Sequence, residues 1–295
     1  MRAVQDQQTA ASDPQQDHVP PGPDAQAVRG QGDIAAQRIS AQEIEGWSDV
    51  YAGEDAAFSQ AAHRVHADWD QLSAEQRADA LLKAANDALV KTGAPQVPWA
   101  FGDTGGATAM FNGGLWQVEL LRESFDCAKP TQAMMGMIVS IVFHEVRHAE
   151  QFFDVLRLLA GSGKGLSTLP EEARTPAVES ILKLAGAQPL SESSTLGQNA
   201  AAWEHAFFDP ESQKIERAAM KINADHKAEL DAAIKIITTS KSAAQRDAAL
   251  ARIKPLVDAM KAYMSLANEA DAYQTGNNAG EAYMGEKDPA AKKTR

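Results

Sequence analysis

The chain has 295 residues, 44% hydrophobic and 23% charged, enough for a domain with a substantial core. Its one cysteine, Cys127, rules out an intramolecular disulfide framework and reads instead as a small buried apolar residue. A formal net charge of −12 argues against a nucleic-acid binder, whose affinity rests on clustered Lys and Arg.

Residues 1–39 hold no aromatic side chain, many glutamines, and Pro14, Pro20, Pro21 and Pro23. Such a stretch buries too little apolar surface to offset its ordering entropy, so it reads as a disordered tail. It has no apolar h-region, and the longest apolar run, Ala133 to Phe143, is far short of the roughly 20 residues of a membrane span. The expectation is a cytoplasmic protein, or one exported or injected by a non-classical route, with no nucleic-acid or membrane partner.

Order is expected from Ser40, where Ser40-Ala41-Gln42-Glu43 fits a capping box, with Trp47, Tyr51, Phe58 and Trp69 as core anchors. A second box, Ser73-Ala74-Glu75-Gln76, opens a helix with the apolar stripe Ala78, Leu81, Leu82, Ala85 and Leu89, stopped at Gly93. Val97 to Phe125 changes character. Ala107–Phe111 and Leu115–Leu120 read as hairpin strands across Asn112-Gly113-Gly114. Thr131 to Leu159 returns to helical spacing. Gly161 to Gly197 is loop-rich around a short helix that starts at Thr175-Pro176, and Trp203 to Phe208 is helical. Residues 211–253 give two helices around Thr238-Thr239-Ser240, which could equally dock a partner. Pro255 starts or kinks a helix that reaches Gln274, and the chain after Gly285 frays. The domain is therefore placed at 40–285, with 286–295 outside it and a helical insertion at about 170–255.

The helix at 131–159 contains His144-Glu145-Val146-Arg147-His148, an H-E-x-x-H motif. Positions four apart on a helix differ by about 40°, so both imidazoles leave one face, a turn apart, and can share a tetrahedral Zn²⁺. Glu145 then lies beside the metal, where it can take a proton from water and pass it to a leaving amine. A third protein ligand is required. Glu269, in Asn268-Glu269-Ala270-Asp271, is the first choice; Asp271 competes, and Glu204 and His205 are further candidates. Glu269 and Asp271 are about 200° apart on a helix and cannot both face one ion. Tyr273 shares the face of Glu269 and could donate a hydrogen bond to a developing oxyanion. Tyr283 could do so only if a loop at Gly276 to Gly280 folds back. His63 and His66 read as surface histidines.

His144-Glu145-Val146-Arg147-His148 with a downstream Asn268-Glu269-Ala270 resembles the zincin metallopeptidases, in their glutamate-ligand, gluzincin-like branch. The resemblance implies a glycine-rich strand along a substrate cleft, then the zinc helix, then a second helix carrying the third ligand. Gln151, in His148-Ala149-Glu150-Gln151, looks like the H-x-x-Q extension of metallopeptidase-like domains often encoded beside contractile injection systems. The chain departs from the family in the 121 residues that separate His148 from Glu269, which the helical insertion must fill.

The resulting expectation is a mostly helical α+β, zincin-like fold with a short antiparallel hairpin beside the zinc helix. Its activity would be zinc-dependent hydrolysis of peptide bonds, with a protein or peptide substrate laid along the hairpin edge. His144, His148 and Glu269 would hold one zinc ion, Glu145 would be general base, and Tyr273 the oxyanion donor. A toxin or effector role, with a delivery or loading partner for the tail, fits this picture. The alternatives are an inactive zinc-binding module and a helical protein-interaction module.

Overall fold

A computed structural model describes residues 54–104 and 107–285, all within the unit Arg38–Arg295. The capping box at Ser40, Trp47, Tyr51 and both expected tails lie outside the described residues. The first helix, α1 (Glu54–Ala67), is followed by a 3₁₀ turn at Trp69–Gln71 and by α2 (Ala74–Leu89). Both halves of the expected cap close at α2: Gln76 N–H donates to Ser73 Oγ at 3.2 Å and Ser73 N–H to Gln76 Oε1 at 2.8 Å. Its expected stripe is buried throughout, and Phe58 and Trp69 are buried beside it. Gly93 ends the segment in the left-handed region at φ 89°, where glycine alone avoids a steric penalty.

The sheet is small. β2 (Ala109–Asn112) and β3 (Gln117–Leu120) form the expected hairpin, antiparallel, with Ala109 opposite Leu120. β1 (Trp99–Phe101) adds parallel to β3, giving the order β1-β3-β2 and leaving β2 at an edge. β1 was not separable from its loop in the sequence because three residues carry no period. Asn86 holds it from outside, exchanging two hydrogen bonds with the Val97 backbone at 2.8 and 2.9 Å.

A single-turn α3 (Arg122–Phe125) leads to α4 (Gln132–Gly161), capped where Thr131 Oγ1 accepts from Met134 N–H. From Val142 to Leu156 this helix is buried on every face, so it is the central rod of the molecule. It ends in a Schellman turn, with Gly163 at φ 69° and Lys164 N–H bonded to the Leu159 carbonyl. Then come α5 (Pro176–Ala185), α6 (Thr195–Phe208), α7 (Pro210–Thr239), α8 (Ala243–Met264) and α9 (Ala267–Gly285). The architecture is mostly helical α+β, as expected.

Four details differ from the sequence reading. α6 begins eight residues earlier than Trp203, at a Ser194 cap hidden in a serine-rich run. Pro255 lies inside α8 and neither starts nor ends it; the break falls at Ser265, before α9. Cys127 is half-buried, its Sγ 3.4 Å from the Ser124 carbonyl. Gly276 to Gly280 is helix, not loop.

Those glycines serve close packing. A Cβ on Gly276 would stand 2.5 Å from the Ser140 carbonyl oxygen and 3.1 Å from His144 Cβ, and one on Gly280 would stand 3.2 Å from the Gly136 carbonyl. Only hydrogen at these positions lets α9 lie against α4 backbone to backbone. Gly276→Ala should therefore cost about 1–3 kcal/mol in denaturant unfolding. Gly165→Ala, where nothing lies within 4 Å of the added carbon, should stay within about 0.5 kcal/mol. Equal stability of the two variants would refute this packing role.

Candidate metal centre

α4 and α9 bring three distant side chains to one point. His144 Nε2 and His148 Nε2 are 3.0 Å apart. Glu269 places one carboxylate oxygen 3.2 Å from His148 Nε2 and the other 3.5 Å from His144 Nε2. All three residues are buried. One donor atom from each residue lies within 4.8 Å of the others, close to the roughly 3.3–3.4 Å that separates the ligand atoms of a tetrahedral ion bonded at about 2.0–2.1 Å. Glu269 Oε2 and His144 Nδ1 are buried without a hydrogen-bond partner among the described residues. A cation would compensate the first of these, and the donor set of two imidazoles and a carboxylate suits zinc.

The surrounding contacts fix the ligands. In the neutral form that a metal requires, His148 would donate from Nδ1 to Gln151 Oε1, 2.8 Å away, and keep its Nε2 lone pair for the ion. Gln151 Nε2 in turn donates to the Asn268 carbonyl at 2.9 Å and to Asp271 Oδ2 at 2.6 Å. Arg147 Nε donates to the same Asp271 oxygen at 2.8 Å. Asp271, fully buried, therefore faces α4 one turn away from the triangle and anchors it from outside. Asn268 Nδ2 donates to Glu269 Oε1 at 3.1 Å.

Glu145 lies beside the triangle, its Oε1 3.9 Å from His144 Nε2. Its Oε2 accepts the Phe111 N–H at 2.7 Å, a bond from the sheet edge to the helix. The edge is oriented by register. Leu121 N–H bonds to the Thr108 carbonyl, so Thr108 and Leu121 form a hydrogen-bonded pair. Pairs alternate in an antiparallel ladder, so Ala109 and Phe111 turn their backbone groups away from β3.

Burial acts first on the charges here. It pushes the Glu145 carboxyl up, against the pull of both histidines and the Phe111 amide. Burial opposes a charged His148 too, but the adjacent Glu269 carboxylate outweighs it and raises the imidazole to about 9. Glu269 is held below the usual carboxylate range: burial would raise it, and both histidines overcome that. Burial and the charges of Glu269 and Glu145 push the Tyr273 phenol up to about 12, which keeps it a donor.

A cleft of about 680 Å³ opens on the triangle, bordered by β2, Gly113-Gly114, α6, α7, Tyr263 and Tyr273. The Tyr273 ring lies 4.5 Å from the His144 ring. Tyr263, from the end of α8, was not foreseen; its hydroxyl is raised by burial and by the neighbouring Glu269. It precedes Glu269 across a helix break, so no periodicity ties the two together. Phe207 and Phe208 were likewise read only as helix. His205 is exposed, 4.0 Å from Asp209, and neither it nor Glu204 borders the cleft.

Tyr283 lies four turns along α9 from Glu269, outside the cleft lining. Its ring stacks on His63 at 4.3 Å, and its hydroxyl meets His66 Nδ1 at 2.6 Å. The Pro130 carbonyl takes His66 Nε2–H at 2.8 Å, so a neutral His66 accepts from Tyr283. His63 is buried and His66 half-buried, which corrects their reading as surface residues. The α1 face that carries them packs on α9.

No protein-family model, curated protein or solved structure matches the chain. The site is therefore read from its own geometry.

Zinc requires neutral imidazoles, whereas the adjacent Glu269 carboxylate favours a protonated His148 in the free site. Zinc binding should thus release protons, and apparent affinity should climb with pH as the imidazole loses its proton. Calorimetry in buffers of different ionisation enthalpy measures both. Gln151→Ala should weaken zinc binding about 10–100-fold by freeing the His148 ring; unchanged affinity would remove Gln151 from the site.

Proposed function

We propose that this chain is a zinc-dependent metallopeptidase. The observation that carries the reading is the buried His144–His148–Glu269 group, whose donor atoms converge on one point, with Glu145 beside it on an open cleft. Bound zinc would act as a Lewis acid on the scissile carbonyl and make water a better nucleophile.

The chain's own groups would do the rest. The outward backbone groups of Ala109 and the Phe111 carbonyl bind an extended peptide as an added strand, whatever its side chains. The Phe111 amide holds Glu145 Oε2, leaving Oε1 towards His144 and the space where water would attack. Glu145 takes a proton from that water and delivers it to the leaving nitrogen. Its raised pKa helps it hold the proton between the two events. Tyr273, whose ring lies beside His144 in the cleft, offers a hydroxyl donor to the carbonyl oxygen as it gains charge, while the Tyr263 hydroxyl bears on Glu269. Gln151, Asp271 and Arg147 keep the ligands in place while the proton moves.

Glu145→Gln tests this directly. The variant should bind zinc as the parent does and lose about 10²–10⁴-fold in peptide cleavage. Equal turnover in both would remove Glu145 as base, and a zinc-free, zinc-indifferent parent would remove the metal centre itself.

A further inference from the structure

The cleft carries more chemistry than the proton transfer uses. One wall is aromatic: Phe207 lies 6.1 Å from the His148 ring, and Phe152 lies 5.8 Å from Phe207 and 5.9 Å from Phe208. Phe111 of the edge strand is 6.2 Å from Phe152 and continues the wall to the substrate-binding edge. Phe152 is buried behind; Phe207 and Phe208 are half-buried and border the open space, with Met220 and Met260 nearby. This surface lies immediately beside the metal triangle, where only side chains next to the scissile bond reach.

The rest of the lining has one sign. Among the described residues, four carboxylates border the cleft, Glu145, Glu172, Glu216 and Glu269, and no Lys or Arg does. Four carboxylates outnumber the two charges of a divalent ion. Glu216, on α7, borders the cleft with Met220, and Arg217, next to it in the chain, is outside the lining. A substrate carboxylate brought here would meet like charge with no cation to pair it, whereas an ammonium or guanidinium would find a partner.

We propose that the cleft selects internal stretches of polypeptide that place a large apolar side chain against Phe207 and Phe208 and a Lys or Arg against Glu216. It disfavours acidic segments and free C-terminal carboxylates. This rests on the metallopeptidase reading and gives it a substrate class: an endopeptidase acting on basic, apolar segments. The apolar wall sets the position of cleavage, and the acidic rim sets which segments enter.

Binding can be measured without turnover. The full-length, zinc-loaded Glu145→Gln protein is titrated with labelled short peptides blocked at both ends, by fluorescence anisotropy, with zinc content determined on the same samples. A peptide with Phe followed or preceded by Lys should bind roughly tenfold more tightly than its Phe→Ala or Lys→Glu counterpart, or one ending in a free carboxylate at that point. Adding Phe208→Ala should abolish the preference for Phe. Adding Glu216→Lys, a change at an exposed side chain, should reverse the preference for Lys over Glu. Zinc-loaded protein that binds all the peptides alike, or keeps its charge preference with Lys at 216, overturns the proposed specificity. Protein that takes up no zinc overturns the metal centre instead, so the two failures are distinct.

Discussion

The close contact of α4 with α9 is the constraint on which the site depends. Helix axes usually stand 8–10 Å apart, separated by side chains. At Gly276 and Gly280 there are none, and backbone meets backbone. That approach brings the α9 carboxylate within 3.2 to 3.5 Å of two imidazoles on α4. A bulkier contact would move the whole face of α9 outward and stretch the triangle beyond what one small ion can bridge. The glycines that make the metal geometry possible are seven and eleven residues from the ligand itself. They act through the rigidity of the helix between them.

The same contact makes a dense layer of buried charge, which needs its own compensation. Arg147, Asp271 and Glu150 lie together inside the helix pair, with Asp154 and Arg157 one turn further on. Burial, with Asp154 and Asp271 nearby, pushes Glu150 well above the usual carboxylate range. Such groups seldom add net stability; their value lies in holding one arrangement, because any other leaves a charge unpaired. Here the arrangement leads from Arg147 and Asp271 through Gln151 to the Nδ1 proton of His148. A buried ion pair thus bears, through Gln151, on the orientation of the His148 ring.

The hairpin completes the site from a third direction. Its edge reaches α4 through the Phe111 amide and Glu145, so the Glu145 carboxylate is set by strand register as much as by its own helix. A slip of one residue would turn Phe111 N–H into the ladder and release Glu145. The helices α7 and α8 pack together around a small core of their own, Ala233, Ala249 and Ile253, and also supply Glu216, Met220 and Tyr263 to the cleft. The long separation of His148 from Glu269 is filled by elements that also build the cleft walls.

Much of this was legible in the residue order. Four-residue spacing put His144 and His148 on one face, and the 200° between Glu269 and Asp271 meant that only one could face the ion. The caps at Ser73 and Thr175 and the stripe of α2 are local, governed by side chains that bond their own turn. Glycine is where local reading failed. Gly276 and Gly280 carry the same residue signal in a loop as in a tight helix contact, and only the partner helix distinguishes them. Tyr263, Glu216 and Phe207 reach the cleft from elements with no sequence relation to the motif. His63 and His66 looked solvated because the face that covers them belongs to α9, more than 200 residues later. The sequence by itself determined the side-chain types of the candidate ligands and the helix faces they occupy, since helix periodicity is set by covalent geometry and hydrogen bonding within a segment. Which faces meet, and at what distance, was decided by tertiary packing, which depends on the shapes of two surfaces brought together from far apart in the chain.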